Sequence, residues 1–260
     1  MGLGTLGTGF GRLSLLSGRG GEFDLVRDVF GGGDSFYRDF TSATGLYQTD
    51  DTSTPVTADG QTIGRAEDQS PNNRDLTQAS SGPRPVWKTT HALFDGNDDR
   101  LETGLKVEPS GMTLIATFRV ADTAATKTII GMRNGTGPRY CALVISSGER
   151  LAGRWGSQIE STINYTDSNL SGIDAVALMR ANTTGVELWL NGTRVYTGAA
   201  ADAATIPNTE GLWVGATNNE GAAAVPFSGR IHRAGARKFY IPDDLILPAM
   251  SAFGTGFVSI

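Results

Sequence analysis

Asp95-Gly96-Asn97-Asp98-Asp99 concentrates oxygen donors in five consecutive residues. Hard cations such as Ca²⁺ take oxygen ligands, so Asp95, Asn97, Asp98 and Asp99 are candidate metal ligands. The same residue types close turns by accepting from nearby backbone N–H groups, and the spacing lacks the EF-hand pattern. A hydrogen-bonded turn is the favoured expectation, with Ca²⁺ the one cofactor the run would hold. His91 and His232 are the only histidines. They have no short ligand spacing and no neighbouring cysteine, which argues against zinc. Gly2-x-Gly4-x-x-Gly7 matches a dinucleotide fingerprint in form, but no strand precedes it and no βαβ unit follows. Ser17, Ser35 and the other serines lack a nucleophile-elbow context. Trp189 and Trp213 could stack on the apolar faces of sugar rings, with Asn191 as a hydrogen-bonding neighbour. The favoured expectation is that the two rings cover a second strand face or fill a rim.

The elements that must position these residues read as strands. Met112, Leu114, Ala116, Phe118 and Val120 alternate with Thr113, Thr117 and Arg119, which sets one face in a core. Similar runs follow at 128–133, 140–146, 151–155, 159–163, 175–180, 186–190, 194–197, 212–216 and 229–240, and Asn191-Gly192 is a hairpin turn signal. Leu188 and Leu190 point one way and Trp189 the other, as Leu212 and Val214 oppose Trp213. Many short strands without long helical periodicity predict an all-β antiparallel jelly-roll β-sandwich. Residues 45–85 are turn-rich, with short strands expected at 61–65 and 75–78. Only 243–253 reads as helical, with Pro248 expected to break or kink it and the piece capping an open end of the sandwich.

Residues 1–44 differ, with Gly2, Gly4, Gly7, Gly9, Gly11, Gly18, Gly20 and Gly21 ahead of a short apolar piece at 23–30. Such glycine density is costly to order alone, so an extended arm is expected, docking on partner subunits through Leu3, Leu6, Phe10, Leu13, Phe23 and Phe30 and adding little to the core. The sandwich is expected over 45–260. The formal net charge is −5 and the 22 basic residues are scattered, which argues against nucleic acid. No Sec signal or membrane span is expected. Cys141 is the single cysteine, and it sits in an apolar run that reads as a buried strand.

Three phrases carry a family resemblance: Ile63-Gly64-Arg65-Ala66-Glu67-Asp68-Gln69-Ser70-Pro71-Asn72-Asn73, Ala92-Leu93-Phe94-Asp95-Gly96-Asn97-Asp98-Asp99, and Val186-Glu187-Leu188-Trp189-Leu190-Asn191-Gly192. Together, over about 45–253, they resemble the laminin-G-like, concanavalin A-like lectin/glucanase superfamily. The first phrase departs from that family at Ala66 and Pro71. The resemblance implies a concanavalin A-like sandwich, in which acidic loop residues sometimes hold Ca²⁺. Glucanases of the superfamily set carboxylates two residues apart on one strand face. Glu102, Glu149, Glu160 and Glu187 have no such partners, so the chain is not expected to be an enzyme. The leader Pro55-Val56-Thr57-Ala58-Asp59-Gly60 with Ile63-Gly64 resembles modules of bacteriophage and prophage structural proteins. That implies an oligomeric virion protein of the capsid, fibre or tail, held to other virion proteins by its arm and displaying a sandwich toward host glycans. The alternative is a carbohydrate-binding module of a bacterial surface or secreted lectin.

Overall fold

The computed structural model describes residues 24–122, 124–134, 139–147, 150–156, 170–200 and 210–260. Leu3, Leu6, Phe10, Leu13 and Phe23 of the expected arm, and the expected strand at 159–163, lie outside them. In chain order the first elements are α1 (Leu25–Asp28), β1 (Ser35–Asp39), β2 (Leu46–Tyr47), β3 (Arg65–Ala66), β4 (Leu76–Thr77), β5 (Val86–Lys88), β6 (His91–Asp95) and β7 (Leu101–Lys106). Long strands follow: β8 (Met112–Val120), β9 (Lys127–Asn134), β10 (Arg139–Ser146), β11 (Arg150–Gly156), β12 (Ala175–Ala181), β13 (Gly185–Leu190) and β14 (Thr193–Ala199). The chain closes with β15 (Gly211–Val214), β16 (Thr217–Asn219), β17 (Ala222–Ala224), β18 (Ser228–Arg237) and α2 (Asp243–Gly254).

These strands form two sheets packed as a sandwich, as the alternation predicted. The first runs β14-β13-β12-β8-β18-β6-β5, with β1 also paired to β18. The second runs β11-β10-β9-β15-β7-β4-β3-β2, and β16 joins it beside β9. Pairing is antiparallel except between β16 and β9. Phe118, Met179 and Leu188 of the first sheet meet Met132, Leu143 and Trp155 of the second in one core. Cys141 lies in that core, and burial pushes its thiol pKa far up, so it packs as an apolar side chain. Asn191 and Gly192, at φ 46° and 82°, form the tight turn that the sequence announced between β13 and β14.

A second core lies on the outer face of the first sheet. Ile115, Val176 and Leu178 point outward from β8 and β12 and are covered by Ile246, Met250 and Phe253 of α2. This is why β12 is buried at every position. Pro248 sits inside α2 without ending it. Burying Ile246, Met250 and Phe253 contributes about 1.5–3 kcal/mol each, which outweighs the roughly 3 kcal/mol cost of an interior proline. The helix therefore caps a face of the first sheet rather than an open end.

The segment before Gly45 belongs partly to the same fold. Phe36 and Phe40 are in the main core, and β1 pairs with β18 from Ser35↔Arg237 to Asp39↔Arg233. Phe30, expected to anchor a partner, instead stacks on Tyr37 at 5.3 Å and touches Phe253 at 6.1 Å. Phe30 is thus part of the lid over its own chain's second core. Asp68, from the first resemblance phrase, holds this stretch by accepting from the backbone N–H groups of Tyr37, Ser70 and Arg74. Among the described residues no helix is long and apolar enough to cross a membrane.

Candidate functional site

The Asp95–Asp99 run folds as a turn after β6. The Asp95 carboxylate accepts from Asn97 N at 2.8 Å and Asn97 Nδ2 at 3.0 Å, and Asp99 Oδ2 accepts from Asp95 N at 2.9 Å. Carboxylate oxygens of Asp95, Asp98 and Asp99 lie within 4.8 Å of one another. Asp99 is buried, and that burial, reinforced by the charges of Asp95 and Asp98, pushes its pKa up to about 6 despite the hydrogen bond from Asp95 N. Ionised Asp99 is thus penalised in the folded state relative to the unfolded chain, and stability falls as pH rises from about 4 through 6. Asp99→Asn keeps an acceptor for Asp95 N without the charge. The variant is expected to be more stable than wild type at pH 8 by about 1–3 kcal/mol, the difference closing below pH 5. Urea denaturation at both pH values in EGTA checks this. A wild-type advantage that emerges only with added Ca²⁺ would assign the three carboxylates to a cation instead.

The aromatic candidates do not converge. Trp189 is half-buried at the margin of the second core, its Nε1 donates to Glu187 Oε2 at 3.2 Å, and the Arg194 guanidinium lies 5.8 Å from its ring centre. Asn191 is engaged structurally, accepting from Val176 N at 2.9 Å through Oδ1. Trp213 points outward from the second sheet, as its phase predicted, yet is only 4% exposed because the Arg100 guanidinium covers its ring at 4.6 Å. The two tryptophans therefore belong to opposite sides of the sandwich.

The histidines are also structural. His232 faces two acceptors, Nδ1 at 3.0 Å from Thr90 O and Nε2 at 3.1 Å from Asp174 Oδ1, and it meets His91 edge-on at 5.5 Å. Burial, with the nearby His232 and Arg230, depresses the His91 pKa to about 4, so the pair is neutral near pH 7.

What the sequence reading passed over is the outer face of the second sheet around the β9-β10-β11 hairpins. Register sets Arg133 opposite Tyr140, Arg154 opposite Ala142, and the side-chain-free Gly156 opposite Tyr140. Period-two alternation puts Arg133, Tyr140, Ala142 and Arg154 on one side and Met132, Cys141, Leu143 and Trp155 in the core. Both guanidiniums reach the Tyr140 ring, Arg133 at 5.4 Å and Arg154 at 5.2 Å from its centre. Gly131 opposite Ala142 and Trp213 opposite Gly131 continue the row, and Asn219 is in register with Arg133 on the far side of β9. Both helices pack on the first sheet, so this row belongs to the face they leave to the second. The signal was present in sequence as out-of-phase Arg and Tyr residues in three consecutive apolar strands.

No protein-family model matches the chain, and no curated protein matches it. Among solved structures, the chain is similar to a Trypanosoma rangeli sialidase in complex with a difluoro-KDN compound, with a TM-score of 0.56 at 11% identity. That match covers 84% of this chain and 32% of the sialidase chain. It is also similar to the Streptococcus pneumoniae NanB sialidase, at a TM-score of 0.47 and 13% identity over 61% of this chain and 27% of that one. A Ruminococcus gnavus IT-sialidase CBM40 bound to α2,3-sialyllactose matches at 0.46 and 16% identity, over 56% of this chain and 84% of the module. The fold is a lectin-like β-sandwich. The chain spans about a third or less of the two sialidase chains. The expectation that it is not an enzyme is corrected by the Trypanosoma rangeli match: a sandwich of this fold occurs within that sialidase, so the missing row of glucanase carboxylates does not take the chain out of the enzymes.

Proposed function

We propose that the chain is a carbohydrate-binding sandwich, with the outer face of the second sheet around Tyr140 as its ligand face. The observation that carries this reading is the grouping there of an aromatic ring, two guanidiniums and the amide of Asn219 on one rigid sheet. Saccharides present apolar C–H faces together with hydroxyls that both donate and accept, and such a mixture suits them. Strands also hold side chains more precisely than loops do. The first sheet offers no comparable surface, since α1 and α2 cover much of its outer side and Trp189 and Asn191 are held by internal partners.

The test is a glycan array followed by calorimetry with the best binder. Wild type is expected to retain a defined subset of glycans, and Tyr140→Ala to lose at least tenfold in affinity, because the buried Tyr140 ring seats the two guanidiniums that face the ligand. Binding that survives Tyr140→Ala unchanged would move the site elsewhere.

A virion-borne setting is supported by the leader phrase at 55–64 and the phrases that follow it. In that setting the sandwich is displayed and the N-terminal residues 1–23 join it to other virion proteins. Purified particles that contain full-length chain but exclude a 24–260 truncation would support this reading, and equal incorporation would oppose it.

A further inference from the structure

Among the described residues six arginines bury an Nε that has no hydrogen-bond partner: Arg38, Arg65, Arg100, Arg133, Arg154 and Arg237. In four of them the rest of the guanidinium is engaged. Arg38 donates to the carbonyls of Glu67 and Thr44, Arg65 pairs with Asp75, Arg100 donates through Nη1 to Asp98 O, and Arg237 donates to Val29 O. Arg133 and Arg154 differ, because among the described residues neither has a hydrogen bond or an ion pair, and both guanidiniums lie over the ring of Tyr140.

Two like charges are thus gathered on one ring, partly buried, with no carboxylate paired to either among the described residues. Burial, followed in smaller measure by the charge of Arg133, holds the Arg154 pKa below the usual guanidinium range, with Tyr140 acting in the opposite direction. A cation–π contact with tyrosine is a weak return for such a cluster, and buried donors in native proteins are normally satisfied. The arrangement is what a site for an anion looks like before the anion arrives: planar forks with free N–H groups, matched to a carboxylate or sulfate. Asn219, in register with Arg133, adds a buried Oδ1 that lacks a donor. A hydroxyl would supply that donor while the adjoining acid occupied the guanidiniums.

Resting on the carbohydrate-binding reading above, we infer that the second-sheet face is selective for anionic saccharides: Arg133 and Arg154 take the carboxylate or sulfate, and Asn219 accepts from a hydroxyl of the same ligand. The ring of Tyr140 sets the spacing of the two guanidiniums, and Gly156 leaves room for Arg154 to cross toward it.

The experiment uses the full chain on an array holding matched neutral glycans, glycans ending in sugar acids, and sulfated glycans, at two salt concentrations. Acidic glycans are expected to bind at least tenfold better than their neutral counterparts, with the preference shrinking as salt rises. The carboxylated and sulfated arms identify which anion is preferred. Arg133→Gln and Arg154→Gln are each expected to weaken the acidic binder about tenfold or more, and to leave any weak neutral binding in place. In wild type, the same glycan should shift the Nε–Hε resonances of both arginines, a readout that needs no variant to fold. Neutral glycans bound as well as acidic ones, or acidic binding that leaves those resonances unmoved, would overturn the inference while sparing carbohydrate binding. Failure to retain any glycan would overturn both.

Discussion

Replacing Arg180 with alanine is expected to cost about 3–5 kcal/mol of stability and to lower the melting temperature by roughly 10 °C, which urea and thermal denaturation would measure. Arg180 is 2% exposed and sits where the first sheet, the β18–α2 connection and α2 meet. Its guanidinium donates to Ile241 O at 2.7 Å, pairs with Glu187 at 2.8 Å and Asp243 at 2.6 Å, and lies over the Tyr240 ring at 4.3 Å. Desolvation disfavours a buried guanidinium, yet the Glu187 and Asp243 carboxylates more than offset it and hold the pKa above its ordinary value. Truncation leaves Glu187, itself mostly buried, with only the half-exposed Arg194 guanidinium at 3.8 Å and the Trp189 N–H to offset its charge. Asp243 also loses its anchor at the first turn of α2, although it still favours the positive end of the helix dipole. Adding Glu187→Leu to Arg180→Met should recover much of the loss, because removing both partners removes the stranded charge. A loss below 1 kcal/mol for Arg180→Ala would show that the helix is held by its apolar face alone.

The second large effect concerns the segment between residues 24 and 33. A 34–260 chain is expected to be less stable than a 24–260 chain by about 3–6 kcal/mol, since it lacks Val29 and Phe30, both 1% exposed. Removing them also uncovers Tyr37 and Phe253, against which Phe30 packs. It deletes the carbonyls that accept from Ser35 Oγ at 2.9 Å and from the Arg237 guanidinium. The shorter chain should therefore bind a hydrophobic dye that the longer one ignores, with Phe30→Ala falling between. Equal melting temperatures for the two truncations would mean that this segment adds nothing to the second core.

Much of the fold was legible because its strands obey a simple alternation. Leu114, Ala116 and Phe118 face the main core in the phase their sequence gave, and Asn191-Gly192 turns where two positive φ values are needed. Three features were not legible because they depend on partners far away in sequence. Phe30 reads as an adhesive residue until β1 is seen paired to β18, nearly 200 residues later. Pro248 reads as a helix breaker until the sheet beneath α2 is in view. Trp213 reads as a sugar platform until Arg100, from a different strand connection, is found lying over it.

The Tyr140 face was missed for a different reason. Each of its strands carries enough apolar residues to be assigned to the core, and the outward residues become a group only when register brings Arg133, Tyr140 and Arg154 together. A lone arginine in a strand says little, whereas two on one ring, unpaired among the described residues, form a group that only register reveals. The Asp95–Asp99 run shows the reverse. Its composition offered a cation or a hydrogen-bonded turn, with the turn favoured, and backbone N–H groups within the run do donate to Asp95 Oδ1 and Asp99 Oδ2.

The most direct test of a carbohydrate-binding second-sheet face is a titration of the isotope-labelled chain with the best glycan from the array, followed through backbone amide and arginine Nε–Hε resonances. Saturable shifts centred on Arg133, Tyr140, Arg154 and Asn219 are expected, with the Trp189–Asn191 end of the first sheet unaffected. Shifts confined to that first-sheet end, or the absence of any saturable shift on the second sheet, would contradict it.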